Sequence, residues 1–314
     1  MPRSKAKVSL WIASGVLAAS VANTTCIADA PPDLEGIWTA GTLTPFERPP
    51  QVGTHLPEGE RAEAQRQATE KFWAAGHKAG DVGRDNDAFM DQELKILPNG
   101  QTSLVVEPAD GKVPARPEAL RRRDFNLTSF DSYETMSQWD RCITRQPTAT
   151  FPGAYNNSFQ IVQTPGYVLI NAEMIHDTRI VPISRDGHAA HADSRVRSWG
   201  GDSRGHWEGS TLVIETTNFN GGGWIATAQN TAAVRGMPFS DQLRTVERYT
   251  RSGDTMQYEI TIDDPVNYTA PWKVAYPLAR DDQYQVFEYA CHEGNHAIES
   301  ILRGARAQEQ KGEN

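Results

Sequence analysis

The sequence predicts a mainly β protein, an antiparallel up-and-down meander that closes into a lipocalin-like barrel, and three observations predict it. From Tyr155 onward apolar residues recur at alternate positions. The alternating stretches are separated by short turns such as Pro165-Gly166, Glu208-Gly209 and Gly253-Asp254. A long series of short strands leaves exposed edges unless it closes on itself. A two-sheet sandwich is the alternative fold.

Residues 1–28 read as a signal peptide. Arg3, Lys5 and Lys7 precede an apolar stretch from Val8 to Val21, and small and polar residues follow. The stretch is too short to span a bilayer. Cleavage is expected after Ala28, because a cut after Ala30 would leave Pro31 beside it. Lipidation at Cys26 is not expected, since Asn23-Thr24-Thr25 replaces the apolar and small residues such a site needs. The expected location is periplasmic or secreted.

Residues 29–153 read as an N-terminal arm with helices and short strands. Leu56 to Ala75 has Pro57 for a first turn, Glu58 and Glu60 after it, and Ala64, Ala68 and Phe72 at helical spacing, with Gly76 as a stop. Thr102 to Glu107 is a short strand. Asp131 and Glu134 have capping-box spacing for a second helix carrying Met136, Trp139 and Cys142 inward. The barrel core is placed at 154–304. Its strands are expected at Ser158 to Gln163, Tyr167 to Ile175, Arg179 to Ile183, Val196 to Trp199, Arg204 to Trp207, Thr211 to Asn218, Leu243 to Arg251, Met256 to Asp263, Pro271 to Leu278 and Tyr284 to Cys291. Gly221-Gly222-Gly223 opens a long stretch to Ser240 that reads as flexible. Residues 305–314 read as a polar tail.

With 31 basic and 40 acidic residues the formal charge is −9, which opposes contact with nucleic acid or anionic lipid. No later segment is a membrane span, so no membrane partner is expected once the signal is removed. Of three cysteines, Cys26 falls in the signal, leaving Cys142 and Cys291 as a pair in an oxidising compartment. A bridge between them is expected, with two buried thiols as the alternative. There is no GxxxxGK[ST] loop, no dinucleotide glycine fingerprint and no GxSxG elbow. Chemistry without a cofactor is therefore expected.

Several motifs carry a resemblance: Tyr155-Asn156-Asn157, Gln160 to Tyr167 (QIVQTPGY), Glu173 to Arg179 (EMIHDTR), Gly201 to Gly209 (GDSRGHWEG), Thr216 to Phe219 (TTNF) and Glu288 to Asn295 (EYACHEGN). Together they resemble a large family of exported bacterial proteins for which no common reaction is established. The abundance of that family in bacteria that degrade aromatic and terpenoid compounds implies substrates of that kind.

His176, Asp202, Glu247 and Arg179 are the candidate catalytic residues. An extended Tyr167 to His176 would place His176 at the end of the apolar row Val168, Ile170, Ala172 and Met174, where an imidazole serves as general acid or base. Asp177, its chain neighbour, would point the other way; Asp202, Glu173 and Glu247 are the candidate partners. Arg179 and Arg204 can hold a carboxylate or a developing oxyanion, or form an ion pair with Asp202. Candidate substrate-binding residues are Tyr155, Asn157, Glu173, Arg204, Trp207, Trp224, Tyr289 and His292. Trp207 is read as a cap at a barrel end, and Trp224, after three glycines, as part of a lid. His292-Glu293-Gly294-Asn295-His296 matches a zinc-protease spacing, but Gly294 and Asn295 are poor helix formers, and no metal site is expected.

The functional expectation is an exported, cofactor-independent lyase or isomerase that moves protons on a small, partly hydrophobic molecule. A non-catalytic carrier of hydrophobic ligands is the second reading. A metal-dependent hydrolase is the third.

Overall fold

A computed structural model describes residues 32–74, 94–185, 187, 189–231 and 233–312. The expected signal peptide and the Gly76 helix stop lie outside them. From Pro32 onward the chain packs as one unit.

Ten strands form one sheet among the described residues. In chain order they are β1 (Gly36–Thr39), β2 (Val105–Glu107), β3 (Ser158–Thr164), β4 (Tyr167–Ala172), β5 (Asp177–Ser184), β6 (Asp202–Glu208), β7 (Thr211–Thr217), β8 (Arg244–Ser252), β9 (Thr255–Asp263) and β10 (Trp272–Arg280). Strands β3 to β10 follow one another around the wall, and β1 pairs with both β3 and β10 to close a nine-stranded barrel. The alternation that predicts the barrel is visible in β9, where Met256, Tyr258, Ile260 and Ile262 are buried and the residues between them are not. Closure leaves no long unpaired edge.

One seam departs from the up-and-down pattern. β5 and β6 run parallel and meet at only two register pairs, Ile183 with Gly205 and Ser184 with His206. A parallel pair needs a crossover of about a dozen residues or more, and the loop from 185 to 201 is long enough to supply it. Gly205 permits the close approach: a Cβ there would lie 2.6 Å from Ile183 Cδ1 and 3.0 Å from Val181 Cγ1. Gly205→Val should therefore cost about 1–3 kcal/mol by overpacking. Thermal unfolding checks this, and an unchanged midpoint would show that the seam yields freely.

Parts of the stretch read as an arm belong to the sheet and its core. β1 is a stave, β2 pairs with the other end of the same edge of β10, and Phe46, Leu97, Leu104 and Phe151 join the main apolar cluster. Because β1 and β2 already occupy that edge, the expected strand Tyr284 to Cys291 has no place in the sheet, and this segment runs as an irregular strap. The expected strand Val196 to Trp199 is also irregular, touching Phe219 through a single bridge at Ser198. The predicted second helix is only a 3-10 turn, Tyr133–Thr135, capped by Ser132. Three α-helices are present among the described residues: α1 (Arg61–Ala74), α2 (Pro117–Thr128) and α3 (Ala297–Lys311), the last including most of the stretch read as a polar tail.

The segment from Gly221 to Ser240 is packed rather than loose. Ile225, Val234 and Met237 are fully buried, and Ile225 and Phe239 hydrogen-bond Met237 and Gly223 through the main chain. Gln138 clamps Trp224 through both its N–H (2.8 Å) and its carbonyl (2.7 Å). Trp224 is 7% exposed, so it is part of a plug instead of a lid. Small and polar neighbours in the sequence concealed these apolar anchors.

Cys142 and Cys291 form a disulfide with Cα atoms 5.7 Å apart. It ties the strap to the segment after the Tyr133–Thr135 turn. No helix among the described residues is long and apolar enough to cross a membrane.

Candidate functional site

The inward rows of the strands carry a polar network through an otherwise apolar interior. On β8, Thr245, Glu247 and Tyr249 are buried, so Glu247 and Tyr249 share the inner face. Tyr249 stands opposite Tyr258 of β9, which stands opposite Tyr276 of β10, with ring centroids 5.0 and 5.5 Å apart. Across the barrel, Arg179 of β5 meets Glu247 end-on: its Nη1 donates to Oε2 and its Nη2 to Oε1 at 3.0 Å. Tyr249 and Tyr258 donate to the same Oε1 at 2.8 and 3.1 Å.

The side chains of Arg179 and Glu247 are 10% and 2% exposed, so this is a buried ion pair. Burial is the largest influence on the Arg179 cation and opposes it, but the charge and hydrogen bond of Glu247 together with Tyr249 and Tyr258 outweigh it and hold the Arg179 pKa above the ordinary arginine value. Burial first, and Glu247 second, push both tyrosines far above the usual phenol range. Their hydroxyls therefore remain protonated donors. Arg179 Nε, also buried, has no hydrogen-bond partner among the described residues.

Two spaces adjoin this network. The inner one is a cavity of about 10 Å³ lined by Arg145, Gln146, Asn157, Ile170, Arg179 and Glu247 among others, which is room for a single water-sized group. The outer one is a cleft of about 430 Å³ lined by Thr144, Gln146, Asp177, Arg179, Trp199, Asp202 and Arg204 among others. It lies where β5 and β6 part beyond their two-pair seam. Gln146 and Arg179 line both spaces and so form the wall between them.

The cleft walls are held by polar contacts. Asp177 Oδ2 accepts from Thr144 Oγ1 and from the Arg145 main-chain N–H. Asp202 pairs with Arg204 at 2.7 Å and with His191 at 2.9 Å. Gly201 makes the turn into β6 possible: its φ is +70° and a Cβ would lie 2.5 Å from the Thr217 carbonyl oxygen.

Of the sequence candidates, Arg179 and Glu247 come together in the interior, and Asp202 and Arg204 pair at the cleft. Asn157 lines the inner cavity, its side chain closing on the Gly153 main chain through both amide atoms. His176 does not continue the apolar row. β4 ends at Ala172, and a turn over Met174–His176 with Ile175 and His176 at φ +65° and +42° carries the imidazole out to the surface. Its Nδ1 donates to the Tyr289 carbonyl at 2.9 Å, so the ring fastens the strap. Glu173 is fully enclosed and accepts from Asn156 and from the strap residue Tyr284. Tyr155 and Tyr289 lie close to one another beside Arg145. Trp207 packs on the core from the inner row of β6 and lines neither space. His292 and His296 are exposed, in a turn and at the cap of α3, so they do not share a helical face. Among the described residues no group of three or more His, Cys, Asp or Glu is placed to hold a metal.

Sequence reasoning missed Tyr249, Tyr258, Arg145, Gln146, Asp177 as a cleft residue, and Trp199. The tyrosines carried a signal, since each occupies the inward phase of an alternating strand. Arg145 and Gln146 lie in irregular backbone, where no period reports orientation.

No protein-family model matches the chain, and no curated protein sequence matches it. Among solved structures, the chain is similar to the crystal structure of a secretary abundant heat soluble protein from Ramazzottius varieornatus, at 9% identity and a TM-score of 0.25, covering 46% of this chain and 87% of that one.

Proposed function

We propose that the protein binds a small molecule from the side of the barrel, in the cleft between β5 and β6, and that Arg179 is the group it meets at the inner end. The observation that carries this is the unspent donor of Arg179. Its end-on fork is committed to Glu247, while the buried Nε–H on its edge lacks an acceptor among the described residues, a state that costs free energy unless something supplies one. The cavity beside the ion pair holds about 10 Å³, whereas the cleft, at about 430 Å³, has the size of a small-molecule site.

Binding is favoured over lyase or isomerase chemistry because the three donors of the inner network do not exchange protons near neutrality. Tyr249 and Tyr258 are held protonated and Arg179 is held charged. Such groups orient and polarise a bound molecule. The disulfide fits a carrier working in an oxidising compartment such as the periplasm.

Gly200 offers a test that spares the ion pair. It lines the cleft, and a Cβ there would meet only Gln146, at 3.5 Å, which is ordinary contact. Gly200→Leu should fold as the wild type does and fill the cleft. A fragment library screened by protein-observed NMR should give saturable hits in the wild type whose affinity falls about tenfold or more in the variant, the loss of roughly 1.4 kcal/mol. Hits that bind both proteins alike, or a library without any saturable hit, would remove the cleft as the binding site.

A further inference from the structure

The inner cavity carries an unbalanced charge. Its lining includes two arginines, Arg145 and Arg179, and a single carboxylate, Glu247. Glu247 is already engaged by Arg179 and by two tyrosine hydroxyls. Arg145 is 4% exposed, yet its guanidinium donates only to main-chain carbonyls among the described residues, Phe151 at 2.8 Å and Ala149 at 3.5 Å. Burial lowers its pKa, and the titratable groups beside it are the phenols of Tyr276, Tyr155 and Tyr289 rather than a carboxylate. A buried cation with neutral partners alone is costly, and an anion at the same place relieves it.

The wall between cavity and cleft consists in part of Arg179 and Gln146, so a group at the inner end of the cleft reaches both. The cavity has room for one oxygen-sized group, such as one oxygen of a carboxylate. The cleft adds an apolar side, with Ile143, Ile180, Pro182 and Trp199 in its lining. Resting on the cleft reading above, we propose that the ligand is a small organic carboxylate whose head lies between Arg145 and Arg179 while its apolar body lies in the β5/β6 cleft. Arginine forks suit a carboxylate, and the free Nε–H edge of Arg179 supplies one of the donors.

The test compares each carboxylate with its neutral isostere. Formate, acetate and benzoate are titrated against formamide, acetamide and benzamide, alongside chloride and inorganic phosphate, at matched ionic strength, using calorimetry and thermal shift on wild type, Arg145→Gln and Gly200→Leu. Benzoate should bind about tenfold or more tighter than benzamide, as a charge-assisted contact requires. Arg145→Gln should bring that ratio close to unity. Gly200→Leu should weaken benzoate and benzamide together and leave formate. Equal affinity for carboxylate and amide in the wild type, or no saturable carboxylate, overturns the inference. In that event benzamide binding that is lost in Gly200→Leu keeps the cleft reading, whereas no cleft-dependent binding of any probe removes both. Chloride or phosphate that saturates the site and is not displaced by carboxylates also overturns it, leaving an inorganic-anion site. If Arg145→Gln does not fold, the wild-type ratio alone decides.

Discussion

Glu247→Leu should lower the thermal midpoint by about 10 °C or more, the largest effect expected of any single side chain in the barrel. The variant removes one partner of a buried ion pair and leaves the other charge uncompensated, which typically costs about 3–5 kcal/mol. Tyr249 and Tyr258 lose their shared acceptor in the same step, since both hydroxyls donate to Glu247 Oε1. In a domain of this size each kcal/mol shifts the midpoint by roughly 2–4 °C. The double variant Arg179→Met with Glu247→Leu should recover most of the loss, because replacing a whole buried pair with apolar groups is often close to neutral. Calorimetry of the two proteins decides the matter. A single variant within about 2 °C of wild type, or a double variant no better than the single one, would show that the pair does not govern the interior.

Breaking the disulfide is the second large effect. Cys142 and Cys291 are 149 residues apart, and in the chain-entropy model a loop of that length gives up to about 5 kcal/mol, with about 2–4 the usual range. Cys142→Ala with Cys291→Ala should thus lower the midpoint by about 5–15 °C. The loss should concentrate locally as well. The strap from 281 to 296 contributes no strand to the barrel, and its other named ties are Tyr284 to Glu173 and His176 to the Tyr289 carbonyl. Hydrogen exchange across 281–296 should accelerate in the variant while β8, β9 and β10 stay protected. Equal exchange of the strap in both proteins would show that it is held without the bridge.

The same contacts explain why some elements were legible and others were not. Alternation placed β3, β4, β5, β7, β8, β9 and β10 within a few residues, because one face of each packs on the core and repeats with period two. Tyr284 to Cys291 and Val196 to Trp199 also alternate in part, yet neither pairs as a strand. Strand formation needs a partner edge, and β1 and β2 had taken the edge of β10. His176 was misplaced for a related reason: the row Val168, Ile170, Ala172 was sound, but the chain leaves the strand after Ala172 and two residues at positive φ reverse the direction of the imidazole.

By itself the sequence pointed to the β class, to closure into a barrel and to the pairing of Cys142 with Cys291, since each follows from local periodicity or from composition. Only the tertiary structure decided that Arg179 meets Glu247, that β5 and β6 run parallel and part to form the cleft, and that Arg145 is buried among carbonyls. Those facts join segments far apart in the chain, 68 residues in the case of Arg179 and Glu247. Local pattern carries no term for such distances; they are set by how the barrel closes and which edge each strand finds.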